Sequence, residues 1–421
     1  MKLRIARDEL LTGLQRVQGV VEKRNTMPVL SNILLEAKAD GVDILATDLE
    51  IGMRGLYKAA VREPGSITLS ARKLYEILKE LPGGDLDLTV GENNWATIQA
   101  GKSQFKIVGL PSSEYPAMPA IEREGLTPLA GVGLVELIRK TLFAVGDNDA
   151  RYILNGLLVT LTTAEKKTTL RLVGTDGHRL AVAEQELGAT ASKDTPREIK
   201  AIIPKKAAHE MRHLLEEGDG EPLIGFTKNL MIFRKSGLLL TSRLMEGNYP
   251  NYQQVIPKEK EQEKRVMVGK QELEGALRRV AVLSRDKTNA VKLTFARGRM
   301  TLFSNNPDFG EATEEVSVRY GGEPLTTGFN ARYLLDVLGV MDGESVTLQM
   351  DTPLSPCLLR TGCTTWSMRR WTTASTNTWR GSARRSRSRS TSTAASRWSI
   401  TGAASRPGCT RSRKSPRRKW P

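Results

Sequence analysis

The chain has 421 residues, with 63 Lys and Arg against 47 Asp and Glu, and 39% of it is apolar, enough for two to four cored domains. Three cysteines cannot build a disulfide framework, which excludes a small disulfide-held secreted scaffold and points to a reducing cytosol. No apolar run approaches the ~20 residues of a membrane span, and Met1–Leu14 is broken by Lys2, Arg4, Arg7, Asp8 and Glu9, so a signal peptide is not expected.

The formal charge of +16 is local. Thr361 to Pro421 holds 13 Arg, 2 Lys and no acid, which leaves 48 basic against 47 acidic residues in Met1 to Arg360. This tail also lacks Leu and Val and carries five of the six Trp. With so little aliphatic surface to offset chain entropy, disorder is expected over 361–421. Arg384 to Ser390 resembles an RS-type segment and Arg411 to Lys419 a nuclear-localisation run, so one reading is an RS-tailed nucleic-acid-binding protein. The other is out-of-frame translation, because a shifted reading of GC-rich coding DNA yields Arg, Ser, Thr, Ala and Trp without apolar periodicity.

Along the body, one unit recurs three times. Each copy opens with an amphipathic helix: Leu10, Leu14, Val17 and Val21; then Leu134, Ile138, Leu142 and Val145; then Leu273, Leu277 and Val280. An alternating strand pair follows and ends in a corner at Thr47, Thr175 and Asn305, spaced 128 and 130 residues apart. Second helices are predicted at Ser70–Leu81, Pro204–Glu217 and Asn330–Met341, with Gly83-Gly84, Gly218 and Gly343 just beyond them. Returning strands are expected at Leu86–Val90, Trp95–Gly101 and Gln104–Leu110, then at Leu223–Thr227, Leu230–Arg234 and Leu238–Leu244. The third copy offers Ser345–Met350 and Leu354–Leu359, but Thr361 onward supplies no third apolar strand. The pattern gives an α+β chain of three domains, each with two helices on one face of a largely antiparallel sheet, at 1–118, 128–250 and 258–360, the last lacking its final strand.

His209-Glu210-Met211-Arg212-His213 matches the zinc-protease helix motif, whose chemistry needs both histidines lining a cleft and the Glu as base. A helical wheel centred on Met211 puts Ala207, Ala208, Leu214 and Leu215 on the buried stripe and both histidines opposite it. Lys205, Lys206 and Arg212 share that outer half and are expected to repel a dication, so a metalloprotease is the weaker alternative. Basic residues recur on the outer helix faces of every copy: Arg72 and Lys79, then Lys205, Lys206 and Arg212, then Arg278, Arg279 and Arg332. Such faces are usually solvated, but a shared concave side would suit phosphates. Thr175-Asp176-Gly177-His178-Arg179-Leu180 offers no nucleophile–base pair and reads as a turn whose Asp caps amides and whose Gly takes a positive φ.

Met1 to Arg360 resembles the bacterial DNA polymerase III beta subunit, the sliding-clamp family. The motifs are Leu30-Ser31-Asn32-Ile33-Leu34-Leu35 with Thr47-Asp48-Leu49-Glu50, Arg151-Tyr152-Ile153-Leu154-Asn155-Gly156, and Thr175 to Val182. Glu246 to Tyr252, Ser304-Asn305-Asn306-Pro307, and Gly328-Phe329-Asn330 with Tyr333 to Leu338 complete the set.

The resemblance implies a head-to-tail homodimer, a ring around duplex DNA with helices lining the hole. It also implies no catalytic residue, metal or cofactor of its own, and a bacterial cytoplasmic setting. By position it implies DNA contact by Arg24, Asn148, Arg151 and Tyr152. It implies a groove for peptides of the polymerase, clamp loader and repair proteins, formed by Leu154, Thr175, Gly177, His178, Arg179, Leu180, Pro250, Val255, Leu354 and Pro356. Gln254 stands where some relatives carry Arg. The ring joint would set Lys73, Ile77, Leu81 and Phe105 against Val282, Leu283, Glu311 and Glu314 of a second chain. Clamps normally end in a strand that walls the groove; its replacement here implies weaker partner binding and an unpaired edge on the third sheet.

Overall fold

The computed structural model describes residues 1–21, 27–91, 93–118, 126–128, 131–164, 167–187, 198–218, 220–256, 264–284, 289–361 and 371–373. The first repeat runs β1 (Lys2–Ala6), α1 (Arg7–Val17), β2 (Asn32–Lys38), β3 (Gly41–Thr47), β4 (Ile51–Tyr57), β5 (Ala60–Glu63), β6 (Gly65–Ser70), α2 (Ala71–Glu80), β7 (Asp85–Val90), β8 (Trp95–Ala100) and β9 (Ser103–Val108). The second runs β10 (Thr127–Pro128), α3 (Gly131–Leu142), β11 (Gly156–Ala164), β12 (Lys167–Thr175), β13 (Leu180–Leu187), β14 (Glu198–Pro204), α4 (Lys205–Glu216), β15 (Leu223–Phe226), β16 (Leu230–Lys235) and β17 (Leu238–Arg243). The third runs β18 (Lys264–Gly269), α5 (Lys270–Val280), β19 (Ala290–Ala296), β20 (Arg299–Asn306), β21 (Gly310–Arg319), β22 (Leu325–Asn330), α6 (Ala331–Val340), β23 (Ser345–Met350), β24 (Cys357–Thr361) and β25 (Trp371–Thr373).

The apolar stripes turn inward as their spacing predicts. Leu10, Leu14 and Val17 of α1, Leu74 and Leu78 of α2, and Leu273, Leu277 and Val280 of α5 are all buried. Each such side chain contributes about 1.5–3 kcal/mol by leaving water. Local polar chemistry sets where the second helices start. The Ser70 side chain accepts from Lys73 N–H ahead of α2, and Asn330 Oδ1 accepts from the Arg332 and Tyr333 amides at 2.9 and 3.3 Å ahead of α6. Gly218 and Gly343 take φ of 52° and 94° just past α4 and α6.

The repeats are joined through their sheets. A five-stranded sheet, β5-β1-β7-β8-β9, belongs to the first repeat alone. An eight-stranded sheet, β10-β15-β16-β17-β4-β3-β2-β6, crosses from second to first, with Leu238 to Ser242 antiparallel to Gly55 to Ile51. A twelve-stranded sheet crosses from second to third in the order β14-β11-β12-β13-β25-β24-β23-β18-β21-β20-β19-β22.

The sequence reading is corrected at one place here. β24 is not left as an open edge: Cys357, Leu358 and Leu359 pair with Thr373, Thr372 and Trp371, and Leu180 and Ala181 pair with the other side of β25. Backbone pairing needs N–H and C=O groups rather than aliphatic side chains, and Trp-Thr-Thr has strong strand preference. β24 also starts at Cys357 rather than Leu354, which is 66% exposed. The expectation of disorder over 361–421 falls, apart from Thr361 and 371–373, outside the described residues.

Candidate nucleic-acid and partner interfaces

The corners after β3 and β12 are built by the same four hydrogen bonds. Thr47 Oγ1 donates to Ile51 O and accepts from Leu49 N, while Asp48 Oδ1 accepts from the Glu50 and Ile51 amides. Thr175, Gly177, Asp176, His178 and Arg179 repeat this at distances of 2.7–3.1 Å. The middle residue takes φ of 77° at Leu49 and 82° at Gly177. The Thr-Asp signal therefore encodes a turn, as the sequence reading holds.

The second corner carries a cationic stack. The Arg179 guanidinium lies 4.4 Å from the Tyr333 ring centroid and 5.4 Å from that of Phe143, and it pairs with Asp176 and Asp336. His178 stacks on Tyr333 with centroids 6.4 Å apart. Arg139 and Lys140 of α3 also pair with Asp342, just beyond α6. Hydrogen bonding to Lys140 holds the Asp342 carboxyl below its usual range. These contacts tie the second repeat to the third beside β25.

Of the residues matched to DNA contact, Arg24 lies outside the described residues. Asn148 sits at φ 53°, Tyr152 is 58% exposed, and Arg151 is held by both carboxylate oxygens of Asp149 and by Asp176 O. Most cations of the outer helix faces are also paired. Arg72 meets Glu76, Lys205 meets Asp147, Lys206 meets Asp48, Arg278 meets Glu274 and Arg279 meets Glu314. Lys79 and Arg332 have no ion pair among the described residues.

The zinc-protease reading fails on geometry. His209 and His213 are exposed on α4 while Glu210 is buried at 8%. The Glu210 carboxylate lies against Gly19, so close that a Cβ there would sit 2.2 Å from Oε1. Burial raises its pKa, against the pull of His213 and Lys206. A base facing away from any cleft cannot activate a metal-bound water. The inward turn of Glu210 was not anticipated: its wheel position borders the apolar stripe, and only the neighbouring repeat buries it.

The residues matched to the partner groove lie at different depths. Leu154, Thr175 and Leu180 are 1%, 0% and 1% exposed; His178, Arg179, Pro250, Val255 and Pro356 are half-buried; Leu354 is out on a turn. Leu180 belongs to an apolar cluster with Leu158, Val173, Val182, Ile202 and Met245, backed by Tyr249 and Tyr252. Leu158, Ile202, Met245 and Pro250 also line a cleft of about 1060 Å³, rimmed by Arg171, Lys200 and Lys228. Burial drives the Tyr249 hydroxyl above its ordinary pKa, and it donates to Val173 O at 3.1 Å, pinning the linker that forms one wall.

β9 and β21 each leave an edge open among the described residues. β9 ends its sheet, and β21 pairs with β20 along its length but with β18 only at Val318 and Arg319. Near these edges Lys73 is exposed, Ile77 and Phe105 pack partly into the core, and Leu81 is fully drawn into it at 4%. Val282 is 57% exposed, Leu283 half-buried, and Glu311 and Glu314 lie on β21. Val108 and Phe309, exposed at 62% and 76%, were not singled out from sequence.

Three family descriptions match in succession: DNA polymerase III beta subunit, N-terminal domain, over residues 1–119; its central domain over 129–251; and its C-terminal domain over 253–365. The beta sliding clamp of Caulobacter vibrioides is 40% identical over 366 residues, spanning 85% of this chain and 95% of its own. That of Pseudomonas putida is 38% identical over 362 residues, spanning 86% and 96%. Among solved structures, the DNA polymerase III subunit beta from Pseudomonas aeruginosa superimposes with a TM-score of 0.78 at 36% identity, covering 89% of this chain and 99% of that one. A sliding clamp from Bartonella birtlesii, solved bound to griselimycin, gives 0.82 at 33% identity, covering 89% and 98%.

Proposed function

The chain belongs to the DNA polymerase III beta-subunit family and is a non-catalytic DNA sliding clamp, and on that premise we propose how it closes its ring, meets DNA and receives partners. One observation carries the reading. The last strand of the second repeat, β17, pairs with the fourth strand of the first, β4, and β25 of the third repeat pairs with β13 of the second. One more application of the rule sets β9 against β21 of a second copy, and both of these strands have an open edge. Two such joints close a head-to-tail ring of two chains.

The repeat also supplies the register. β8–β9 and β16–β17 both turn through two residues, so Lys106 corresponds to Thr241; the corner pair Thr47–Gly52 corresponds to Asn305–Glu311. Thr241 faces Gly52 across the internal joint. Lys106 therefore faces Glu311 of the partner subunit, and Phe105 faces the partner's Ala312. Val108 and the partner's Phe309 come to the same end of the joint. Lys73, Ile77 and Leu81 support one side, and Val282, Leu283 and Glu314 the other. Opposite charges favour the head-to-tail order.

Duplex DNA passes through the hole along the helix faces, touched by Arg24, Asn148, Arg151 and Tyr152 and by the unpaired Lys79 and Arg332. Such phosphate contacts read no sequence and weaken with salt, which permits sliding. Topology then keeps a bound polymerase at high effective concentration near the primer end. The polymerase, clamp loader and other replication and repair proteins dock by short peptides near Leu180, Pro250, Val255, Leu354 and Pro356. With β25 in place of an aliphatic closing strand, their binding is weaker than in an intact clamp. The setting is the bacterial cytoplasm.

The test is retention on DNA. Chains loaded on nicked circular DNA should stay bound in high salt and be released when the circle is cut. Equal loss from circular and linear DNA contradicts encirclement.

A further inference from the structure

We infer that His209 and His213 form a two-histidine binding site for a borderline divalent transition metal such as Zn²⁺ on the outer face of α4. The two imidazoles are four residues apart on one exposed helix face, with ring centroids 4.5 Å apart in an edge-on arrangement. Neutral imidazole is a good ligand for Zn²⁺, Cu²⁺ and Ni²⁺, and two of them leave the remaining positions to water.

Two further features fit metal binding. The Glu210 carboxylate lies 3.6 Å from His209 Nδ1, near enough to offset part of a dication's charge. Two of the neighbouring cations are matched by carboxylates, Lys205 by Asp147 and Lys206 by Asp48.

The site is distinct from protease chemistry. Glu210 is turned inward against Gly19 and supplies no base, and no group of three or more ligating side chains exists among the described residues. A metal held here binds and does not hydrolyse. If α4 faces the hole, as the ring reading above has it, the open positions of the dication face DNA phosphates and add to the clamp's hold. That consequence rests on the ring reading, whereas the site itself does not.

Calorimetric titration of the untagged full-length chain with ZnCl₂ at pH 7.5, without DNA, tests the site. The expected result is saturable binding of one equivalent per chain, weakened at least tenfold by His209→Asn and by His213→Asn, and weakened again when the pH is lowered to 5.5. Both variants alter exposed side chains, and unchanged circular dichroism is the check that they fold. Binding that survives both substitutions, for example on the thiols Cys363 and Cys409, overturns the inference. Absence of saturable binding to the unmodified chain also overturns it. If the site stands while Zn²⁺ leaves retention on circular DNA unchanged, the placement of α4 in the hole fails and the metal site does not.

Discussion

Lys206 Nζ lies 2.5 Å from Asp48 Oδ2 and 2.8 Å from Val20 O, joining α4, the second helix of the second repeat, to the first repeat's corner. The Asp48 side chain is only 5% exposed, and its other oxygen already caps Glu50 and Ile51. Removing the cation leaves a buried carboxylate without its partner. Lys206→Met is expected to cost about 3 kcal/mol, read by urea denaturation, while Asp48→Asn, which keeps the caps, costs less. Equal stability of Lys206→Met and the parent contradicts this account of the junction.

Glu210 gives the junction a pH dependence of known sign. Its folded pKa is raised by burial above the unfolded value of 4.5, so the native state favours the protonated form. The stability it supports is fully present below the unfolded pKa and is lost as pH rises through the folded one. Glu210→Gln should therefore raise Tm at pH 7 to 8, with the gain shrinking toward pH 4. A loss of Tm at pH 7 would show the carboxylate to be needed in its charged form.

Matched corners predict opposite effects of opposite substitutions. Leu49 holds φ 77° where the second corner has Gly177 at φ 82°. Leu49→Gly relieves left-handed strain and is expected to gain up to about 1 kcal/mol. Gly177→Ala adds strain and sets a Cβ 2.5 Å from Arg151 Nη1, so it should cost about 1–2 kcal/mol and weaken DNA retention by dislodging Arg151. Thermal melts of the two variants, run side by side, check the pair of signs.

Lys235 is 5% exposed and donates to Leu214 O, Leu215 O, Glu217 O and Gly218 O at 2.6–3.0 Å. A buried ammonium thus satisfies the carbonyls that the end of α4 leaves without helical partners. Lys235→Met should cost about 3 kcal/mol, because the Leu214 and Leu215 carbonyls would remain buried and unmet. Chemical denaturation measures it, and a change under 0.5 kcal/mol contradicts the capping role.

Much of this was legible because periodicity and capping are local. The second helices were read as Ser70–Leu81, Pro204–Glu217 and Asn330–Met341, and the structure trims each by one residue at either end, with Ser70 and Asn330 left as caps. The Thr-Asp corners were likewise readable as turns. What escaped depends on contacts between distant segments. Glu210 and Lys235 look like ordinary surface charges until Gly19 and the end of α4 enclose them. Nothing in the alternation of β4 and β17 says that they pair with each other across repeats. β25 escaped because aliphatic content was the criterion, and strand pairing does not require it. At the candidate interfaces, residue types were carried over by position, so their depth, such as the burial of Leu81 and Leu154, became visible only in three dimensions.

The central claim is that the β9 and β21 edges meet in a second copy with Lys106 facing Glu311. The most direct measurement is oxidative cross-linking of a Lys106→Cys, Glu311→Cys double variant in a Cys357→Ser, Cys363→Ser, Cys409→Ser background. The account predicts a covalent species limited to two chains, closed at both joints, that cannot leave circular DNA even in denaturant. Cross-linking that never exceeds background, or that runs on into open multimers, contradicts a closed head-to-tail ring with this register.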